Sequence, residues 1–150
     1  MSLTLNEVFE KVGYEGIGYV FDAPIHYIVL NRKDNTWNQA RINQYLEILD
    51  KIEATSGPGV MITIGTGTKI FSSGFDLHSW VPDFHRMHRD SRLFQEVIAR
   101  LLEFSMPTMC IYNGKAMAGG VILGMAHDHR IMNVKGSICV SEIHLGLPVS

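Results

Sequence analysis

Residues 106–132, MPTMCIYNGKAMAGGVILGMAHDHRIM, decide the fold. Pro107 to Tyr112 is a short apolar run of the kind that forms a buried strand. Asn113-Gly114 breaks it with turn chemistry, and Met117 to Ala126 then has the small-residue, apolar composition of a buried helix. His129 to Val134 reads as the next strand, followed by a short one at Ser137 to Val140. Strands that alternate with helices predict a largely parallel α/β core.

Upstream the same grammar repeats. Trp37 to Ala54 carries Ile42, Tyr45, Leu46, Leu49 and Ile52 at three- and four-residue steps, which is one apolar helical stripe. Asp34, Asn35 or Thr36 is placed to cap it, and Ser56-Gly57-Pro58-Gly59 ends it before the strand Val60 to Ile64, apolar except for Thr63. Residues 65–77, GTGTKIFSSGFDL, read as a glycine- and serine-rich loop, and 78–90 as a polar, histidine-containing excursion. A second amphipathic helix follows with Leu93, Phe94, Val97, Ile98, Leu101 and Leu102 on one side. At the N-terminal end, Gly16 to Phe21 and His26 to Asn31 are β-rich runs joined by Asp22-Ala23-Pro24, a hairpin.

The chain has 150 residues, 46% of them hydrophobic, enough for one domain to bury about two-thirds of its unfolded surface. Thirteen Lys plus Arg against fifteen Asp plus Glu give a net charge near −2 with no block of either sign, which excludes the basic face of a nucleic-acid binder. Arg32, Lys69, Asp76, Arg100, His127 and Asp128 interrupt every apolar run before it reaches the ~20 residues that cross a bilayer. The N-terminus lacks the basic start and apolar stretch of a secretory signal. Cys110 and Cys139, each in an apolar run, are expected as reduced core thiols, with a disulfide between them left open.

Two glycine-containing turns follow strands: Ser73-Gly74-Phe75-Asp76, and Asn113-Gly114 with Ala118-Gly119-Gly120 at a helix start. Small residues let a ligand approach the backbone, and one N–H from each turn makes a two-donor oxyanion hole. The alternative is that these glycines serve only turns and close helix packing. Glu142 stands in the largely apolar stretch Ile138 to Leu147, where a partly desolvated carboxylate suits a general base; an exposed strand end is the bland alternative. His85 with His88, and His127 and His129 around Asp128, lack further ligands at metal-site spacing, so no metal is expected. Ser141, Glu142 and His144 lack the G-x-S-x-G of a hydrolase elbow.

Three segments in order, IFSSGFDL (70–77), 106–132 and SEIHLGLP (141–148), resemble the crotonase, or enoyl-CoA hydratase/isomerase, superfamily, and the match runs from about Tyr19 to Pro148. The resemblance implies an α/β fold, a crotonase-like ββα spiral of mostly parallel sheets, as a single core domain over 1–150. It implies an acyl-CoA thioester as substrate, no cofactor beyond the CoA that the substrate carries, and a thioester oxygen held by the amides of Phe75 and Gly119. Ser73, Gly74, Asp76 and Leu77 would lie along the adenine and pantetheine of CoA. Hydratases of the family use two glutamates; here the first position is Ile122 and the second Glu142. A single base fits double-bond isomerisation, and the motifs look most like the plant-type Δ3,Δ2-enoyl-CoA isomerases.

Family members continue past this point into helices that close the acyl pocket and build a trimer; these C-terminal helices are absent from the 150 residues, which are expected to be either a fragment or a chain that has lost them. Their absence opens a second reading, a non-catalytic crotonase-like subunit of a larger assembly; another crotonase reaction, thioester hydrolysis or, less favoured, hydration, is the remaining alternative. The resemblance also implies a peroxisomal or mitochondrial setting, although Pro148-Val149-Ser150 is no peroxisomal address.

Overall fold

The structure, a computed structural model, describes residues 2–13, 16–81 and 83–145. Two parallel-rich sheets are fed alternately by the chain. β1 (Gly16–Asp22) and β2 (Ile25–Asn31) form the antiparallel hairpin, Gly16 opposite Asn31 and Asp22 opposite Ile25. After α2 (Gln39–Glu53), β3 (Val60–Gly65) joins β2 in parallel, and β4 (Ile70–Ser72) leaves for a second sheet. α3 (Phe84–Leu102) returns the chain to β5 (Thr108–Tyr112), parallel to β3, and β6 (Lys115–Met117) again departs, parallel to β4. α4 (Gly119–Met125) leads to β7 (His129–Met132) on β5 and β8 (Ile138–Cys139) on β6. The orders are β1-β2-β3-β5-β7 and β4-β6-β8. This is a ββα spiral, one strand to each sheet per turn.

The predicted stripe of α2 is what packs: Ile42, Tyr45, Leu49 and Ile52 are fully buried and meet Phe94, Val97 and Leu101 of α3 in one cluster beneath the sheet. Asn38 rather than residues 34–36 caps α2, its side chain accepting the Arg41 N–H. Tyr45 reaches through the core to Thr63 of β3 at 2.8 Å, and His127 Nε2 meets the same hydroxyl at 2.9 Å while Nδ1 meets the Leu123 carbonyl at 2.9 Å. Burial pushes the His127 imidazole down to about 4, so it stays neutral and locks α4 to β3.

Several expectations need correction. A helix not foreseen, α1 (Leu5–Val12), is opened by a Thr4/Glu7 capping box and buries Val8 and Val12 against β1 and β2. The 65–77 segment holds β4, because Ile70 and Ser72 pair with Lys115 and Ala116. The 78–90 excursion is already helix from Phe84; its outward face carries exposed His85, Arg86, His88 and Arg89, which hid the apolar period. α4 starts at Gly119, since residues 115–117 pair as β6. Cys110 is buried in the central sheet, but Cys139 is exposed on edge strand β8, and both are free. No helix among the described residues is long and apolar enough to cross a membrane.

Candidate active site

β4 ends at Ser72 and the chain turns sharply through Gly74, whose φ of +85° suits glycine. A single parallel bridge then ties Phe75 to Trp37: the Trp37 N–H donates to the Gly74 carbonyl and the Asp76 N–H to the Trp37 carbonyl, both at 2.8 Å. A trans peptide sets its C=O and N–H in opposite directions. With the Gly74 carbonyl aimed at Trp37, the Phe75 N–H points away from it, and it makes no hydrogen bond among the described residues. The Phe75 ring is wedged against Trp80 and Phe94, each 5.1 Å away between centroids, which fixes the residue from its other end.

The second donor arises at the β6–α4 junction. Ala118 has φ 47° and ψ −123°, a conformation costly for a residue with a Cβ. It is held there by its N–H on the Cys139 carbonyl at 2.9 Å and by its own carbonyl, which accepts from Val121 at 2.9 Å and Ile122 at 3.2 Å. That carbonyl points into the first turn of α4, so the Gly119 N–H on the same peptide points out of it, also without a partner among the described residues. The two turns touch: a Cβ placed on Gly74 would lie 2.8 Å from the Ala118 Cβ and 3.3 Å from the Gly119 nitrogen, and one on Gly119 would lie 3.4 Å from the Phe75 ring. Two unspent amides from separate loops therefore sit side by side, the arrangement that stabilises a carbonyl oxygen gaining negative charge.

Glu142 lies in a 3₁₀ turn (Ser141–Leu145) directly after β8, whose Cys139 pairs with Met117 just ahead of the Gly119 turn. Its Oε2 is buried and has no hydrogen-bond partner among the described residues. An acceptor kept from water and unpaired is costly, which sets Glu142 apart from the other carboxylates described. The rest of the SEIHLGLP motif from Gly146 on, with Val149 and Ser150, lies outside the described residues. Ile122, at the position of the first of the two hydratase glutamates, is partly buried against the apolar core.

The remaining site candidates follow the first turn. Ser73 donates its N–H to the Asp34 carbonyl at 3.0 Å; the Asp76 carbonyl receives the Ser79 hydroxyl at 2.6 Å; Leu77 is exposed. At the opposite end of β4, Asn31, Arg32, Lys33 and residues 66–70 line an open hollow of about 440 Å³. Arg32, Lys33 and Lys69 give it a positive rim, and none of the three has an ion-pair partner among the described residues.

Sequence reasoning missed Trp37, Asn113 and Asp90. Asn113, read only as a turn residue, accepts the Gly65 N–H at 3.0 Å and donates to the carbonyls of Thr66, Gly67 and Ile70, shaping the loop that leads into β4. Asp90, 4% exposed, accepts the Trp80 indole N–H at 3.0 Å and so fixes the ring behind Phe75. The Trp37 indole N–H is buried without a partner among the described residues. His127 and Asp128 are occupied structurally: Asp128 accepts the N–H and hydroxyl of Thr108 at 2.8 and 2.9 Å, which hold its carboxyl below the usual range.

A protein-family model described as enoyl-CoA hydratase/isomerase matches residues 21–149. Enoyl-CoA delta isomerase 3 of Arabidopsis thaliana is 38% identical over 115 residues, covering 72% of this chain and 48% of the relative. The peroxisomal enoyl-CoA delta isomerase 2 of the same plant is 36% identical over 111 residues, 68% of this chain and 45% of the relative. The chain thus spans about half the length of the curated relatives it matches. Among solved structures, Pseudomonas aeruginosa DspI superposes with a TM-score of 0.85 at 24% identity, covering 91% of this chain and 53% of that one. An enoyl-CoA hydratase from Bacillus anthracis gives 0.83 at 24% identity, covering 90% and 54%.

Proposed function

Because the chain belongs to the enoyl-CoA hydratase/isomerase family, we propose that it binds a 3-enoyl-CoA thioester and moves the double bond to the 2-position. The observation that carries this reading is the pair of outward-facing, unpartnered amides of Phe75 and Gly119 on touching turns. In the proposed reaction Glu142 removes a proton from C2. The C–H electron pair forms the C1–C2 double bond of a dienolate, and the charge that gathers on the thioester oxygen is met by the two N–H donors. The protonated Glu142 then returns its proton to C4, leaving a C2–C3 double bond and a regenerated carboxylate. No water enters, which agrees with the apolar Ile122 where water addition would need a second carboxylate.

The hollow rimmed by Arg32, Lys33 and Lys69 is the proposed seat of the CoA phosphates, and Ser73, Gly74, Asp76 and Leu77, which flank the Phe75 donor in the chain, are proposed to lie along the rest of the CoA. Two relatives named as enoyl-CoA delta isomerases support the reaction, and one named as peroxisomal supports that compartment. A trimer, and one core domain over 1–150, are proposed on the family resemblance.

A second reading is favoured by one observation. Ile131, Met132, Ile138 and Val140 are about half exposed and Val134 is 99% exposed on and around edge strands β7 and β8, an apolar face suited to a non-catalytic subunit of a larger assembly. The experiment that decides is turnover of a 3-enoyl-CoA, followed by the absorbance of the conjugated product, for wild type and Glu142→Gln. Product formation lost in Glu142→Gln, with acyl-CoA binding retained, supports the isomerase. Binding without product in the wild type supports the subunit.

A further inference from the structure

Ser72, part of the IFSSGFDL motif but given no role by the family resemblance or the proposed chemistry, is fully buried at the end of β4, in the seam between the two donor turns. Its hydroxyl donates to the Asn35 carbonyl at 2.8 Å and accepts the Gly74 N–H at 3.2 Å. From the other turn, Gly120 presses on the same side chain: a Cβ there would lie 2.7 Å from the Ser72 Cβ and 2.8 Å from its Oγ. The hydroxyl thus bonds one residue before Phe75 and packs against the residue after Gly119.

Asn35 makes this seam rigid. It sits at φ 44°, and its side chain accepts the Arg32 N–H at 2.8 Å and donates to the carbonyls of Phe71 at 2.9 Å and Leu30 at 3.4 Å. The carbonyl that receives the Ser72 hydroxyl is therefore pinned to the ends of both β2 and β4. With its hydrogen committed to Asn35, the hydroxyl has a lone pair left for the Gly74 N–H. Without it, that buried N–H loses its partner at a glycine, the residue type freest to rotate.

We propose that Ser72 is a positioning residue of the oxyanion hole, keeping the Gly74–Phe75 peptide in register with Gly119, with Asn35 as its anchor. The inference rests on the proposed oxyanion hole. Ser72 is enclosed by protein, so it acts through the Phe75 amide and not on the ligand.

The test compares a CoA thioester with its matched thioether, in which a methylene replaces the carbonyl and leaves the hole nothing to hold. Wild type is expected to prefer the thioester. Ser72→Ala is expected to lose ~10-fold of that preference and ~10- to 100-fold in kcat for 3-enoyl-CoA, with thioether affinity and KM within about twofold. Gly120→Ala, which pushes on the same hydroxyl from the second turn, is expected to show the same signature and serves if Ser72→Ala folds poorly. Wild-type preference and kcat in both variants overturn the role of Ser72 while leaving the hole intact, and so does an equal loss of affinity for both ligands. A wild type with no thioester preference defeats the hole itself, and this inference with it.

Discussion

Replacing Gly74 by alanine attacks the site at the point where its two turns meet. Two costs separate cleanly. The first is conformational: at φ +85° an L-residue pays ~1–2 kcal/mol, which at this chain length lowers the melting temperature by about 2–4 °C per kcal/mol. The second is steric. The new Cβ would stand 2.8 Å from the Ala118 Cβ and 3.1 Å from the Met117 carbonyl, against the ~3.5–4.0 Å that carbon pairs prefer, so the turns must part by ~0.7 Å or more. A misplacement near 1 Å at a reacting centre costs ~100-fold in rate. Gly57→Ala is the matched control, with φ +104° and nothing within 4 Å of its Cβ. Both variants, followed by thermal melting and by 3-enoyl-CoA turnover, are expected to lose similar conformational stability. Gly74→Ala alone is expected to lose ~100-fold or more in kcat. Equal turnover in the two variants would show that the turns do not form one site.

Other outcomes follow from the same packing. His127 stays neutral down to about pH 4 when folded but takes a proton near 6.5 when unfolded, so stability is complete above 6.5 and falls by up to ~3 kcal/mol as pH drops to 4; His127→Asn is expected to flatten that slope in urea titrations run across the range. Gly124→Ala sets a Cβ 2.0 Å from the Tyr112 hydroxyl that donates to the Val121 carbonyl, and is expected to destabilise by ~3 kcal/mol or more by denaturant titration, well beyond the ~1 kcal/mol of Tyr112→Phe. Lys69→Glu is expected to raise KM for an acyl-CoA ~10-fold or more at low salt, with a smaller effect at high salt and kcat nearly unchanged in steady-state kinetics.

What could be read from the residues depended on whether the signal was local. The helix α2, the hairpin and the strands β3 and β5 carry their own periodicity or apolar run, and all appear where expected. β4 and β6 span three residues each and have no periodicity to show; Ile70 and Lys115 become strand only because the spiral brings them together. α3 was legible only in its C-terminal half, because its first turns are solvated on one face and bury Asp90, a carboxylate, on the other. The glycine turns and Glu142 announced themselves by composition. The groups that aim them did not. Trp37 reaches Phe75, Asn35 reaches Ser72 and His127 reaches Thr63 across 38, 37 and 64 positions, and no short motif encodes such pairs. Cys139 looked like core because its neighbours are apolar, yet it lies on an edge strand whose apolar residues are themselves exposed.

In the proposed site the Phe75 and Gly119 amides together grip a thioester oxygen. The most direct measurement is the carbonyl stretch of a ¹³C-labelled acyl-CoA thioester, by difference infrared spectroscopy, free and bound to the wild-type protein. Two donors on one oxygen predict a clear shift to lower wavenumber on binding, reduced in Gly74→Ala. A bound carbonyl that absorbs where the free one does would mean that the two amides do not hold it.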